Sequence, residues 1–190
     1  MKKLFISLSI LAITATACKQ QTEKLEVIST EEKTEVAPAE EKTAATKFAQ
    51  EALNQEFHKL EGGTISFQEI LAQNKGKVIM IDIWAAWCPD CIKALPEIKT
   101  IKADFPTVAF VNLSLDKSQE KWKEAIEKHA IEGQHFYLED EKRMKGVFGQ
   151  AIQLNWIPRY ILVNKEGEIE LFNATEKNFE EIKALLKTIQ

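Results

Sequence analysis

The 190-residue chain is poor in several features that define other classes of protein. Its 25 lysines and arginines are outnumbered by 29 aspartates and glutamates, and the net charge of −4 gives no electrostatic basis for binding nucleic acid. Its three histidines, at positions 58, 129 and 135, lack the paired spacing of zinc ligands. The apolar run at residues 4–13 is too short to cross a bilayer as a helix, and no internal repeat is visible.

The N-terminal segment has the composition of an export signal. A charged start at residues 1–3 precedes the apolar run, and small residues follow at positions 15–17. We therefore predict a signal peptide over residues 1–17. Ala15-Thr16-Ala17-Cys18 resembles a bacterial lipoprotein processing site, which implies a mature chain anchored to a membrane through lipidated Cys18. The alternative is an ordinary cleaved signal, and both interpretations predict an extracytoplasmic protein. The lipoprotein would face the periplasm.

A polar segment follows this signal. Residues 18–46 are dominated by Glu, Lys, Thr, Ala and Gln and contain no aromatic side chain. Such a composition cannot bury enough apolar area to offset the entropy lost on ordering. We predict a disordered tether over residues 18–46 and a folded domain over residues 47–190.

The richest chemistry in the domain follows its most apolar strand. Residues 78–84 form an apolar run that is interrupted only by Asp82, which is typical of a strand buried on both faces. A carboxylate there is costly unless it is neutralised or used, and burial raises its pKa toward the range of a general base. An aspartate satisfied by local hydrogen bonds is the alternative.

Two cysteines, Cys88 and Cys91, flank Pro89 and Asp90 where the strand pattern gives way to a helical one. Pro89 suits the first turn of a helix, so Cys88 is expected at the helix N-terminus, where the dipole favours a thiolate. Cys91, one turn later, is within disulfide reach and could resolve a mixed disulfide formed at Cys88. A zinc site and a purely structural disulfide are the alternatives.

The motifs D-x-W-A-x-W-C-x-x-C and W-I-P-R-Y-I-L-V-N-K-E-G-E-I resemble the thioredoxin superfamily, in particular its membrane-tethered extracytoplasmic branch related to TlpA and ResA. The resemblance runs from about Phe57 to the C-terminus. It implies an α/β thioredoxin-like fold, with a central mixed sheet flanked by helices and an inserted strand–helix segment. It also implies a thiol–disulfide oxidoreductase without a cofactor beyond the Cys88–Cys91 disulfide.

The resemblance also implies roles for individual residues and partners. Asp82 would move the proton of Cys91, Pro158 would follow a cis peptide bond, and Ile157 would pair with the substrate backbone. Arg159 is left open between orienting substrate and being solvated. Implied partners are oxidised protein substrates, including apocytochromes c, and a membrane electron donor of the thiol–disulfide type. The predicted substrate-binding residues are Trp87, Pro89, Ile157 and Pro158, with Trp84 in the core.

Other segments carry local signals of structure. Residues 48–60 fit one helical face, with a short strand at 57–60 as the alternative. Ser66 and Glu69 form a capping-box signature that opens a helix to residue 73. Asp116 with Gln119 is expected to cap a helix to about Ala130. Further predictions are helices over 89–104, 141–151 and from 178, and strands at 108–115, 135–138, 160–163 and 168–171.

The direction of electron flow and the alternative functions follow from the same residues. Asp90 beside the cysteines opposes a thiolate, which favours a reductant over an oxidant. A redox-inactive binding module with the same fold is the main alternative function. A peroxidase is a weaker match because no separate cysteine stands in a Thr/Ser-x-x-Cys context.

Overall fold

A computed structural model of the chain describes residues 46–190. The predicted signal peptide (residues 1–17), the lipidation site Cys18 and all but the last residue of the predicted tether (residues 18–46) lie outside these described residues. Within residues 46–190, no helix combines the length and the apolar character that crossing a bilayer would require.

The described residues form a mixed sheet with helices on both faces, which confirms the predicted fold class. The strands are β1 (Glu56–Lys59), β2 (Thr64–Ser66), β3 (Ile79–Trp84), β4 (Ala109–Ser114), β5 (Gln134–Tyr137), β6 (Arg159–Val163) and β7 (Ile169–Ala174). Their order across the sheet is β2-β1-β5-β4-β3-β6-β7. The central strand β3 pairs in parallel with β4 and antiparallel with β6.

The helices divide the core into two layers. They are α1 (Gln50–Leu53), α2 (Phe67–Gln73), α3 (Pro89–Asp104), α4 (Gln119–His129), α5 (Val147–Ala151) and α6 (Phe179–Ile189). Apolar residues of α3 and α6 pack with Met80 of β3 on one face of the sheet. Helices α2, α4 and α5 pack with Ile81 and Ile83 on the other. Since strand side chains alternate between faces, Asp82 shares the face of Met80 and lies beneath α3.

Signals at two helix starts had different outcomes. The capping box predicted at Ser66 and Glu69 is present, and the Glu69 N–H donates to Ser66 Oγ at 3.2 Å. The cap predicted at Asp116 is wrong, because Ser118 caps α4 by accepting the N–H of Lys121 at 3.3 Å. The Asp116 carboxylate binds elsewhere, as described below.

Two other helix predictions are wrong. A 3-10 turn (Arg143–Lys145) interrupts the helix predicted over 141–151, and α5 begins only at Val147. Arg143 has a φ of 49° and Gly146 a ψ of −178°, so regular helical backbone cannot run through this segment. Residues 48–60 do not form one helix but α1 followed by β1, which matches the alternative strand at 57–60.

Candidate active site

The two motif cysteines lie where β3 gives way to α3. Cys88 is the N-cap residue of α3 and Pro89 is its first helical residue, as predicted. The Sγ atom of Cys88 accepts the backbone N–H of Cys91 at 3.2 Å. Both thiols are free and buried. The start of the helix therefore supplies a hydrogen-bond donor to the sulfur atom that would carry negative charge.

The loop before β6 contacts Cys88 from the other side. The Cys88 thiol donates to the carbonyl oxygen of Ile157 at 3.5 Å, and the Ile157–Pro158 peptide bond is cis, as the resemblance implied. In sequence, Cys88 and Ile157 are 69 positions apart. Antiparallel pairing of β3 with β6, in which Ile83 faces Arg159, brings the loop to the end of α3.

Asp82 is buried beneath α3 with little stabilisation from neighbours. It is 6% exposed, and its strand partners are Asn112 in β4 and Tyr160 in β6. Its Oδ1 atom has no hydrogen-bond partner among the described residues, so the contacts of this atom do not support the alternative of a locally satisfied aspartate. Burial raises the pKa of Asp82 to about 7, against the opposing positive charge of Lys102. This carboxyl group can therefore gain or lose a proton near neutral pH.

The Cys91 thiol holds its proton more strongly than the Asp82 carboxyl group does. Its pKa lies far above the ordinary value, chiefly because of burial and the hydrogen bond with Cys88, with a further contribution from the charge of Asp82. Cys91 therefore keeps its proton until a base removes it. Asp82 is a buried carboxyl group whose charge acts on this thiol, and its pKa of about 7 lies in the range that proton transfer near neutral pH requires.

The surface around Cys88 is apolar. Trp84 is buried, as predicted, whereas Trp87 is 42% exposed and its indole N–H donates to the Leu115 carbonyl at 3.3 Å. Pro89 is exposed beside it, and Trp156 is exposed just before Ile157. These exposed apolar side chains belong to the two segments that meet at the Cys88 sulfur, and exposed apolar area is the kind of surface that an extended peptide contacts.

Asp116 is a site residue whose role sequence reasoning missed. Its Oδ1 atom accepts the backbone N–H of Ala86 at 2.9 Å, and its Oδ2 atom accepts the Ser114 hydroxyl at 2.8 Å. Burial raises its pKa. The carboxylate thus fixes the backbone just before Trp87 and Cys88. The sequence signal that could have identified Asp116 is its position directly after the predicted strand 108–115. Because β4 is parallel to β3, the two strands end at the same edge of the sheet.

Arg159 is a second site residue whose burial and hydrogen bonds were not predicted from the sequence. It is buried, so its interpretation as a solvated side chain is wrong. Its Nη1 and Nη2 atoms donate to the Oδ1 atoms of Asn173 and Asn155, both at 2.7 Å. Its position next to Pro158 placed it near the site, but nothing in the sequence indicated burial of the charge.

Two of the three histidines take part in other contacts. His58 pairs with Glu139 at 2.8 Å, and His135 contacts the Ile131 carbonyl oxygen at 2.9 Å. Across the part of the chain that the structure covers, no three His, Cys, Asp or Glu side chains are grouped to hold a metal ion.

Comparisons with known proteins agree with this geometry. Residues 76–169 match a family model described as thioredoxin-like. Over 109 residues the chain is 28% identical to sporulation thiol-disulfide oxidoreductase A of Bacillus subtilis, a match that covers 56% of this chain and 65% of that protein, slightly under two thirds. Over 84 residues it is 31% identical to the H-type thioredoxin of Fagopyrum esculentum, covering 44% of this chain and 67% of that protein.

The chain is also similar to solved structures of thiol–disulfide oxidoreductases. A candidate thiol–disulfide oxidoreductase from Bacteroides vulgatus is 31% identical and superimposes with a TM-score of 0.56, covering 70% of this chain and 87% of that one. The thioredoxin domain of another Bacteroides vulgatus thiol–disulfide oxidoreductase, 22% identical, has a TM-score of 0.62 and covers 77% and 99% respectively.

Proposed function

This chain belongs to the thioredoxin-like family, and on that premise we propose that it is a thiol–disulfide oxidoreductase that acts on protein cysteines through Cys88 and Cys91. The observation that carries the proposal is the setting of the Cys88 sulfur. It lies 3.2 Å from the Cys91 nitrogen and 3.5 Å from the Ile157 oxygen, between a helix N-terminus and a backbone that can present a substrate.

The proposed reaction has two exchange steps. The Cys88 thiolate attacks one sulfur of a substrate disulfide, forms a mixed disulfide and releases the other substrate sulfur as a thiolate. Cys91 then gives its proton to the Asp82 carboxylate and attacks the Cys88 sulfur. This step closes the Cys88–Cys91 disulfide and releases the second substrate thiolate, which takes up a proton. The substrate gains the two electrons that the cysteine pair loses, and a membrane dithiol donor would restore them.

We propose the reducing direction because the surroundings of the pair are acidic. Asp82 contributes to the raised pKa of Cys91, and Asp90 lies in the first turn of α3. Strong oxidants stabilise their reduced form as a thiolate, and acidic neighbours oppose that. We expect a reduction potential nearer to about −270 mV, as in thioredoxin, than to about −120 mV, as in DsbA. Equilibration with dithiothreitol buffers measures it, and a value above about −195 mV, the midpoint of these two potentials, would refute this direction.

The location of the reaction is also a proposal. The export signal at residues 1–17 and the processing site before Cys18 support an extracytoplasmic protein, anchored by lipid at Cys18 and facing the periplasm. Labelled fatty acid should be incorporated into the wild-type chain in bacteria and not into C18S. Incorporation into C18S, or none into the wild type, would refute the anchor.

Trapping tests the catalytic assignment. The C91S variant should accumulate mixed disulfides with extracytoplasmic proteins, because nothing resolves the bond at Cys88. The C88S variant is the matched control and should accumulate far fewer. Apocytochromes c are one substrate class to look for among the trapped proteins. If the wild-type chain fails to reduce insulin and C91S traps nothing, the chain is the redox-inactive binding module of the alternative hypothesis.

A further inference from the structure

A buried positive charge that forms no ion pair within the described residues lies beside the candidate active site. Arg159, the first residue of β6, is 3% exposed, and no carboxylate among residues 46–190 forms an ion pair with it. Burial lowers its pKa, and its Nε atom has no partner among the described residues. A lone buried cation costs stability compared with a neutral side chain. Its presence therefore points to a role other than stabilising the core.

The two hydrogen bonds of Arg159 connect separate parts of the fold. One goes to Asn173 in β7, within the sheet, and the other goes to Asn155 in the loop that leads to Pro158. Both acceptors are neutral amide oxygens on exposed residues. The planar guanidinium group can donate in two fixed directions at once, which ties the loop to the sheet in one geometry.

The loop that is tied down has few other attachments. No backbone carbonyl of the described residues accepts the N–H of Trp156 or Ile157. Within residues 46–190, the Ile157 carbonyl accepts only the long contact from the Cys88 thiol, at 3.5 Å. The N–H and carbonyl groups of Ile157 thus make no backbone hydrogen bond within the described residues, so a peptide that displaces the Cys88 contact could pair with them, and their distance from Cys88 depends on how residues 155–158 are held.

We infer that Arg159 is a positioning residue for substrate docking. By holding Asn155 against β7, its guanidinium group fixes the Ile157 backbone at the distance from Cys88 that a disulfide-bearing peptide needs in order to pair with it. The inference rests on the proposed oxidoreductase function. It concerns peptide substrates specifically, because a small disulfide without a peptide backbone cannot use this pairing.

The test compares two substrates with variants of the full chain. Insulin carries disulfides in a peptide backbone, whereas dipyridyl disulfide has none. In N155A, the KM for insulin should rise about fivefold, the effect of losing one hydrogen bond, while the rate with dipyridyl disulfide should change less than about twofold. R159M should raise the KM for insulin at least as much. N155D keeps the acceptor oxygen and supplies a counter-ion, so its KM should stay within about twofold of wild type.

N54A is the matched control, since Asn54 is also exposed and also accepts one side-chain hydrogen bond, from Gln50 at 2.8 Å. It should leave the ratio of the two rates unchanged. Equal losses with both substrates in N155A and R159M, or no change in the KM for insulin, would overturn the inference. If the wild-type chain reduces neither substrate, the proposed function itself fails, which is a different result.

Discussion

The buried carboxyl group of Asp82 should make the folded state less stable as the pH rises. Burial moves its pKa from 3.8 to about 7, a shift of roughly three units. At about 1.4 kcal/mol per unit, this corresponds to about 4 kcal/mol by which ionised Asp82 disfavours the folded state at neutral pH. The variant D82N removes the ionisation and keeps the size of the side chain. We expect it to be about 2–4 kcal/mol more stable than the wild type above pH 7, because the amide still lacks a partner for one atom.

The protonation state of Asp82 in the folded and unfolded chain determines how the free energy of unfolding changes with pH. Below about pH 4 the carboxyl group is protonated in both states and contributes nothing. Between about pH 4 and pH 7 the unfolded chain has released this proton and the folded chain retains it, so the free energy of unfolding falls as the pH rises. Above about pH 7 the group is ionised in both states, and the penalty is complete.

The assay is urea unfolding of the reduced chain between pH 4.5 and 8, for the wild type and D82N. The difference in the free energy of unfolding between the two should grow with pH and level off near pH 7. Asp104 is an exposed aspartate at the end of α3, and D104N should show no such growth. A difference between D82N and wild type that is flat across this range would refute the assignment of a raised pKa to Asp82.

Two further variants test neighbours of the site. Lys102 lowers the pKa of Asp82, so K102M should move the midpoint of the pH profile for resolving a mixed disulfide to higher pH. The exposed Lys99 on the same helix is the control, and a midpoint that stays or falls in K102M would contradict the coupling. D116A leaves the Ala86 N–H without its acceptor and should cost about 1–3 kcal/mol in thermal unfolding, with slower attack by Cys88. D116N keeps an acceptor oxygen and should lose less, so equal losses in both variants would show that the hydrogen bond does not matter.

The elements that could be predicted from sequence are those specified by neighbouring residues. The apolar run before the cysteine motif predicted β3, and Pro89 placed Cys88 at the N-cap of α3. The capping box at Ser66 predicted the start of α2, and the predicted end at about residue 73 agrees with its last residue, Gln73. Each of these signals acts within one strand or one helical turn, so no distant contact had to be known.

The errors arose where side chains bind residues distant in the sequence or where the backbone is unusual. Residues 141–151 contain good helix formers, but Arg143 adopts a positive φ and Gly146 an extended conformation. Asp116 has the residue type of an N-cap, yet its carboxylate binds Ala86, 30 positions earlier. Helix propensity does not predict such contacts, because they form only once the strands are paired.

The alternation of the sheet separates the two buried charges of the site. Asp82 pairs with Tyr160, and Ile83 pairs with Arg159, which is one position later in β3 and one position earlier in β6. Successive residues of a strand point to opposite faces, so the carboxylate lies on the face covered by α3 and the guanidinium group on the other. The peptide layer and its apolar side chains lie between them, and the two share no hydrogen bond. In the proposed mechanism Asp82 acts on the proton of Cys91 and Arg159 acts on the loop at Ile157, so their effects on the rate should be independent.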